Sequence, residues 1–526
     1  MELAEIREAL KAMYGGENHP VTDGNYDKSL AVKCINGTFV GRKKENIIAY
    51  RGIPYVGQQP VGKLRWKAPV DVTPRDGVYE AFYNAKSAFG NGQMETGSLY
   101  YMDEDCLYLN VFKQDDAAEK KPVMVWIHGG GFEAGGTIDP VFDCHNFVQE
   151  NPDVIVVTIA YRLGVMGFLH LSHLPDGAEY PDAQNLGLLD QVKALKWVHE
   201  NSAAFGGDPE NVTIWGESAG AGSCTLLPLI PGSHEYFHRL IAQSGSVNQT
   251  RSPEDGIACT NKLMEALGCK TVADLLKVDG EKLLETATAV LFLHQFPERD
   301  GKYLPTDTFA AYAAGAAKDI DMLIGCNKDE MNFFVSSFGL EGWDAWVEGR
   351  LKEKFARLLP EEKALVDSYM KDVKGDYFQP GASLLSQSWF IAPVIRLSEE
   401  QVKGGGKVYT YYFTPESPDP IMKCGHAIEL SIVFHHPEYS SDLGRAFDAT
   451  FCKAMRQLWV QFARTGNPSL TAAQSPDGKA KEWPLYDLQD KRVMVLDEFD
   501  IHPEKESERK IVDWERTYFL TKYYML

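Results

Sequence analysis

The sequence predicts an α/β fold with a large, mostly parallel central sheet flanked by helices. Residues 123–127 and 154–159 are apolar at almost every position, which is typical of strands covered on both faces. Amphipathic helical patterns, such as that at 188–204, alternate with these runs. Strands that alternate with helices are joined by right-handed crossovers, so this order favours parallel pairing. Short β-runs between residues 31 and 56 are split by Asn36-Gly37 and Gly41, which predicts N-terminal β-hairpins leading into the sheet.

Length and composition indicate a globular protein with a large core. The 526 residues are 44% apolar and 24% charged, which is ordinary for this class. The length allows several domains, but no repeat, low-complexity tract or disordered linker interrupts the chain. We therefore expect one domain over residues 1–526, in which helical insertions around 254–287 and 343–400 cap the sheet. A short amphipathic helix is also predicted at 3–13.

The charge, the N-terminus and the cysteines exclude several partners. The formal net charge of −21 repels phosphate backbones, so we expect no nucleic-acid partner. Charges near the N-terminus break the apolar stretch that a signal peptide needs, and no apolar run approaches the length that spans a membrane. The nine cysteines are scattered without metal-ligand spacing. These features predict a cytoplasmic protein with reduced thiols, without a bound metal or a membrane partner.

The stretch at 212–220 gives the clearest indication of chemistry. An apolar, β-branched run breaks abruptly into the sequence GESAG at 216–220, and a helix-forming segment follows. A serine on a sharp strand-to-helix turn has a cramped backbone, which glycines two positions before and after it relieve. Such a turn lifts the hydroxyl of Ser218 out of the sheet and points a helix N-terminus at it. The alternative is an ordinary glycine-rich turn, but the strand and helix around it favour a nucleophile elbow.

Three glycines follow the predicted strand at 123–127, in the sequence HGGGF at 128–132. Their backbone N–H groups are unshielded by side chains, as the donors of an oxyanion hole must be. A flexible loop or a phosphate cradle is the alternative, but the run lacks the phosphate-binding pattern and opens no helix. His128 suits a role in building the hole better than the role of a general base.

A serine nucleophile needs a base, and the base needs an acceptor that fixes its tautomer. Active sites of open α/β sheets collect outside the carboxyl ends of strands. Glu330 and His426 each follow a predicted strand later in the chain. The order Ser218, Glu330, His426 is the one expected for this architecture.

Spacing alone leaves both assignments open. His435 and His436 lie shortly beyond His426, and Glu330 lies beside Asp329, where a solvated loop acid is the usual alternative. Six other histidines look like exposed or capping residues rather than bases, namely His170, His173, His199, His234, His238 and His502.

Seven motifs in order resemble the type-B carboxylesterase and cholinesterase family of α/β-hydrolases, over about residues 31–499. They are EDCLYLNV at 104–111, HGGGF at 128–132, NLGLLDQ at 185–191, FGGDP at 205–209, GESAG at 216–220, NKDE at 327–330 and GHAIEL at 425–430. The resemblance implies an α/β-hydrolase fold, with Ser218 as nucleophile, His426 as base and Glu330 as orienting acid. It also implies an oxyanion hole formed by the backbone N–H groups of Gly130, Gly131 and Ala219.

The sequence departs from this family at two places. Secreted relatives pair the cysteine of the first motif with an upstream cysteine, but no cysteine lies between Cys34 and Cys106. Cys259 and Cys269 resemble a second family disulfide, although free thiols are favoured in a chain without a signal peptide. Cholinesterases carry a tryptophan upstream of the motif cysteine, whereas Thr96 stands here. Choline esters are therefore not the expected substrates, and Tyr100 and Tyr101 are candidates to line the gorge instead.

The predicted activity is hydrolysis of a small-molecule carboxylic ester through an acyl-enzyme, with no metal or organic cofactor. The same triad serves for amides, carbamates or thioesters, because leaving-group preference depends on pocket shape. A non-catalytic, cholinesterase-like binding protein is a further alternative, disfavoured by the presence of all three triad residues. Residues expected to face the acyl or alcohol part of the substrate are Phe132, Glu217, Leu291, Phe292 and Phe296.

Overall fold

The computed structural model of the chain describes residues 16–90, 101–291, 293–375, 378–436 and 445–524. The chain divides into two compact units, one of Met1–His238 with Arg251–Thr306 and one of Arg239–Thr250 with Asp307–Leu526. The helix predicted at 3–13 lies outside the described residues, and a single domain over 1–526 stays a prediction.

The first unit contains a sheet whose strands lie in the order β9-β7-β8-β6-β4-β3, and a smaller sheet in the order β1-β2-β5. The strands are β1 (Ala31–Cys34), β2 (Gly37–Val40), β3 (Arg42–Lys44), β4 (Ile47–Pro54), β5 (Val78–Glu80), β6 (Tyr108–Gln114), β7 (Lys121–Ile127), β8 (Ile155–Ile159) and β9 (Gly207–Glu217). β7 pairs in parallel with β8 and β9. Its residues from Val123 to Ile127 are all buried, as their unbroken apolar sequence predicts.

The helices of the first unit include the predicted insertion. They are α1 (His145–Glu150), α2 (Gly164–Gly167), α3 (Leu186–Asn201), α4 (Ala219–Leu226), α5 (Pro253–Leu267), α6 (Val272–Leu275) and α7 (Gly280–Leu291). α5, α6 and α7 correspond to the insertion expected around 254–287. They pack Leu263, Leu283 and Leu291 into one cluster with Met166 of α2. Burial of such side chains stabilises the fold by about 2 kcal/mol each.

The second unit contains strands in the order β10-β11-β12-β13-β14, which are β10 (Arg239–Gln243), β11 (Asp321–Asn327), β12 (Val408–Phe413), β13 (Arg492–Asp497) and β14 (Asp500–Lys505). The first four pair in parallel, and β13 pairs antiparallel with β14. Its helices are α8 (Thr308–Ala313), α9 (Asn332–Arg357), α10 (Pro360–Asp372), α11 (Gln379–Ser386), α12 (Ala392–Lys403), α13 (Leu430–Val433), α14 (Ala449–Thr465) and α15 (Glu506–Arg509), with a π-helical turn at Gln387–Ile391.

The large α/β sheet flanked by helices is confirmed, but its pairing is more mixed than predicted. β8 pairs antiparallel with β6, β6 with β4, and β4 with β3. The last two strands form a hairpin that adds to the sheet edge. β14 was not predicted from the sequence. It carries charged residues and Pro503 and lies at an edge, where a strand needs no apolar run. The apolar pattern over about 443–462 also predicts a helix, and α14 begins only after Asp448, whose side chain accepts a hydrogen bond from the N–H of Phe451.

Two expectations bear on cysteines and membranes. All nine cysteines lie in described parts of the chain and are free thiols, including Cys259 and Cys269. Within the ranges that the structure describes, no helix combines the length and the apolar character needed to cross a membrane.

Candidate active site

Ser218 stands on the turn that joins β9 to α4. Its φ of 55° and ψ of −122° lie outside the conformations that non-glycine residues prefer. The helix begins at the next residue, and the carbonyl of Ser218 accepts a hydrogen bond from the N–H of Gly222 at 2.9 Å. A strained serine placed between a buried strand and a helix N-terminus has the geometry of a nucleophile elbow.

The two glycines that flank Ser218 are required by close packing. A Cβ atom at Gly216 would lie 2.5 Å from the carbonyl carbon of Gly220. A Cβ atom at Gly220 would overlap the carbonyl oxygen of Ile127, at the end of β7. The turn can therefore sit against the neighbouring strand only without side chains at these positions, which explains the spacing of the motif.

Replacing Gly220 with alanine is expected to lower the free energy of unfolding by about 3 kcal/mol, because the backbone of β7 must move. Gly349 is the matched control, since a Cβ atom at this helical position of α9 meets nothing within 4 Å. Gly349→Ala is expected to be neutral or slightly stabilising. Urea unfolding of the two variants measures the difference, and equal stabilities would contradict this packing account.

The glycine loop lies beside the nucleophile turn in the first unit. A Cβ atom at Gly129 would lie 3.1 Å from Cβ of Ser218 and 2.8 Å from the carbonyl oxygen of Glu217. Gly130 and Gly131 have φ of 99° and 62°, in the region that favours glycine. The loop predicted to form the oxyanion hole thus runs directly past Ser218.

His128 holds the start of this loop. Its ring stacks on that of Tyr161 with centroids 4.5 Å apart, and the hydroxyl of Tyr161 donates to the carbonyl of His128 at 2.8 Å. Burial lowers the pKa of His128 to about 4, so the imidazole is neutral at pH 7. Its Nδ1 lies 2.9 Å from the carbonyl oxygen of Gly129, which fixes the proton on Nδ1. This arrangement supports the loop-building role expected of His128.

His426 and Glu330 form a buried pair in the second unit. Nδ1 of His426 lies 2.6 Å from Oε2 of Glu330, and both side chains are buried. Oε1 of Glu330 accepts from the N–H of Asn327 at 2.7 Å, and its carbonyl accepts from the N–H of His426 at 3.0 Å. With Nδ1–H donating to the carboxylate, Nε2 is the nitrogen that can act as a base.

The structure separates Glu330 from its neighbour Asp329. The Asp329 carboxylate lies 3.9 Å from the ammonium of Lys328 and accepts from the N–H of Cys424 at 3.4 Å. The carboxylate of Asp329 therefore contacts residues of its own surroundings, Lys328 and Cys424, whereas that of Glu330 contacts the imidazole of His426. Aromatic rings surround that imidazole, with Phe390 at 4.7 Å, Phe334 at 5.5 Å and Phe333 at 6.2 Å between centroids.

The sequence patterns predict no role for a second buried carboxylate, that of Glu429. It accepts from Nδ2 of Asn327 at 2.7 Å and from Nε2 of Gln243 at 2.9 Å. Burial raises the pKa of Glu429, and the nearby charge of Glu330 adds to this. Its place in the motif after His426 was the only signal in the sequence, and a single buried glutamate cannot be recognised from such a signal.

A serine, a histidine and a glutamate form a hydrogen-bonded series in the first unit, here called the surface array. Oγ of Ser172 is 3.0 Å from Nε2 of His170, and Nδ1 of His170 is 2.9 Å from Oε1 of Glu298. Ser172 is exposed, and it stands in a turn rather than between a strand and a helix. Hydrogen-bond order alone therefore does not identify the reactive serine.

The predicted pocket residues are only partly brought together. Phe132, with a φ of 60°, is buried and packs edge-on against Phe296 with centroids 6.1 Å apart. Glu217 is buried beside the glycine loop, because a Cβ atom at Gly129 would lie 2.9 Å from its Oε2. Leu291 belongs to the core cluster around α5 and α7. Phe292 and Tyr100 lie outside the described residues, and roles in substrate binding stay predictions.

Ser218 belongs to the first unit and the His426–Glu330 pair to the second, so the complete triad stays a prediction. The fold, with its strand-turn-helix around Ser218, is that of an α/β-hydrolase. The sequence profile of the carboxylesterase family matches residues 28–511. The chain belongs to the carboxylesterase family, as predicted, and its class of activity is carboxylic ester hydrolysis.

Relatives of known name cover almost the whole chain. Para-nitrobenzyl esterase of Bacillus subtilis is 34% identical over 508 residues, which are 90% of this chain and 96% of that protein. Mouse cholinesterase is 30% identical over 516 residues, which are 89% of this chain and 81% of that protein. The crystal structure of carboxylesterase EST55 of Geobacillus stearothermophilus has a TM-score of 0.80 at 34% identity, covering 92% of this chain and 99% of that one.

Proposed function

We propose that the protein cleaves small-molecule carboxylic esters through an acyl-enzyme formed on Ser218. The observation that carries this proposal is the strained turn of Ser218, which lies directly beside the glycine loop. A Cβ atom at Gly129 in that loop would lie only 3.1 Å from Cβ of Ser218. The hydrogen-bonded pair of His426 and Glu330 supplies the base that such a serine needs.

In the proposed mechanism, Nε2 of His426 takes the proton of Ser218 as the hydroxyl oxygen attacks the ester carbonyl. The resulting imidazolium then protonates the leaving alcohol, and the acyl group stays on the serine. A water molecule, deprotonated by the same nitrogen, releases the acid and restores the serine. Glu330 remains ionised throughout and stabilises the imidazolium through its 2.6 Å contact with Nδ1.

The backbone N–H groups of Gly130, Gly131 and Ala219 are proposed to stabilise the tetrahedral oxyanion. Two observations support this role, namely the left-handed conformations of the two glycines and the place of Ala219 at the first position of α4. Each such donor lowers the barrier by roughly 3–4 kcal/mol. No step of this mechanism calls for a metal or an organic cofactor.

The proposal extends to where the enzyme works and what it meets. Nine free cysteines fit a reducing compartment, so we place the protein in the cytoplasm. A net charge of −21 fits small-molecule substrates rather than nucleic acid. Phe132, Glu217, Phe292 and Phe296 are proposed to contact the acyl or alcohol part of the ester.

Pairs of p-nitrophenyl esters and p-nitroanilides that share an acyl group test this function. The acetate and butyrate esters are expected to turn over with kcat/KM of about 10⁴ M⁻¹s⁻¹ or more, and the matching p-nitroanilides much more slowly. Varying the acyl and alcohol parts separately then defines the specificity. Turnover of the anilides but not of the esters would contradict ester hydrolysis.

A further inference from the structure

We propose that Glu133 is a positioning residue that fixes the glycine loop in the geometry required for catalysis. Glu133 follows the loop at the second residue after Gly131, and its side chain is buried. The inference rests on the proposed function, because it assigns a task to the loop that this function requires.

The carboxylate of Glu133 accepts three consecutive backbone N–H groups. Oε1 accepts from His294 at 3.0 Å and from Gln295 at 3.1 Å, and Oε2 accepts from Leu293 at 3.0 Å. Hydrogen bonds to an ionised acceptor are stronger than neutral ones. One side chain therefore anchors a whole turn of backbone that follows α7.

This turn has the geometry of an anion-binding nest. Leu293 has a φ of 54°, which directs its N–H and those of the next two residues toward one point. A non-glycine residue in this conformation is strained by about 1 kcal/mol or more. The negative charge of Glu133 in the concavity offsets that strain, so the carboxylate and the turn stabilise each other.

The glycine loop is held to Glu133 by its own backbone and to the nest by one aromatic contact. The N–H groups of Glu133 and Ala134 donate to the carbonyl of Gly130 at 3.0 and 2.8 Å, so the backbone turns back on itself. The ring of Phe132 meets that of Phe296, the residue that directly follows the nest. Moving Glu133 out of the nest therefore moves Gly130.

Only a carboxylate satisfies all three donors. Glutamine at this position has one carbonyl oxygen to accept with, and its NH₂ group faces at least one backbone N–H. The loop must then shift, although the side chain keeps its size. A displacement of about 1 Å in a catalytic group lowers rates by about 100-fold.

Positioning and simple electrostatics predict opposite signs. If Glu133 acted only through its charge, removing a negative group close to a developing oxyanion would raise kcat. If it holds the donors in place, Glu133→Gln lowers kcat instead. The sign of the change therefore separates the two roles.

The test compares Glu133→Gln with Glu506→Gln. Glu506 is also buried and accepts from the N–H of Val512 at 2.8 Å and from the indole of Trp514 at 2.7 Å. For hydrolysis of p-nitrophenyl butyrate, Glu133→Gln is expected to lower kcat by about 10- to 100-fold with KM changed less than about threefold. Its affinity for an aryl trifluoromethyl ketone, which mimics the tetrahedral intermediate, falls by the same factor. Glu506→Gln keeps the wild-type kcat.

Hydrogen exchange of the peptides that cover 128–136 and 292–297 gives a readout independent of activity. Glu133→Gln is expected to speed exchange there by about tenfold or more. If the glutamine variant does not fold, Glu133→Asp, which keeps the charge, replaces it in the same measurements. A wild-type or higher kcat in Glu133→Gln, an equal loss in Glu506→Gln, or unchanged exchange would each overturn the inference. An inactive wild type with faster exchange in the variant would refute the proposed function instead, and with it the catalytic task of the loop.

Discussion

Replacing Ser218 with alanine is expected to lower kcat for p-nitrophenyl butyrate by about 10⁴- to 10⁶-fold. The variant loses the oxygen that forms the acyl-enzyme, and only binding and the proposed oxyanion donors remain to assist water. The fold should be retained, because the turn is set by Gly216 and Gly220 rather than by the serine side chain. Steady-state kinetics and thermal unfolding of the purified variant measure both effects.

Ser172→Ala is the matched control for this variant. Ser172 also contacts a histidine that contacts a buried glutamate, but it is exposed and stands outside the strand-to-helix turn. We expect Ser172→Ala to retain wild-type kcat and KM. An active Ser218→Ala together with an inactive Ser172→Ala would show that the nucleophile is Ser172 of the surface array.

The second large effect is expected from Glu330→Gln, which should lower kcat by about 10³- to 10⁴-fold. The amide group of glutamine can present its NH₂ group to His426, which then places the imidazole proton on Nε2. In that tautomer the ring cannot accept the proton of Ser218. KM should change little, because Glu330 is buried and hydrogen-bonded to Asn327 and His426.

Glu298→Gln makes the corresponding change in the surface array, where Glu298 contacts Nδ1 of His170. It is expected to retain kcat, even if it unfolds at a lower temperature. Steady-state kinetics of Glu330→Gln and Glu298→Gln at pH 7 measure kcat for both variants. Losses of similar size would show that kcat follows general stability rather than the orientation of His426.

Much of the fold could be predicted because buried parallel strands have a distinctive sequence. β7 and β8 are continuous apolar runs, and both were expected close to their observed limits. β14 was missed because it is partly exposed, charged and short of apolar residues. The start of α14 depends on a single cap, Asp448, which an apolar pattern does not reveal.

The local parts of the site could also be predicted, because close packing imposes a residue type at a fixed spacing. Gly216 and Gly220 have no space for a Cβ atom, and this constraint is visible in the sequence as GxSxG. The nest that holds Glu133 has no such signature. Its three donors are backbone N–H groups far along the chain, and Leu293 does not look like a residue with positive φ. Likewise, the burial of Glu429 depends on partners in other elements, such as Gln243.

Labelling with a fluorophosphonate probe tests directly whether Ser218 is the nucleophile and His426 its base. The modified peptide is identified by mass spectrometry. We predict one adduct per chain, on Ser218, and loss of labelling in His426→Ala, because the base must activate that hydroxyl. An adduct on another serine such as Ser172, or labelling of Ser218 that is as fast in His426→Ala as in the wild type, would contradict this prediction.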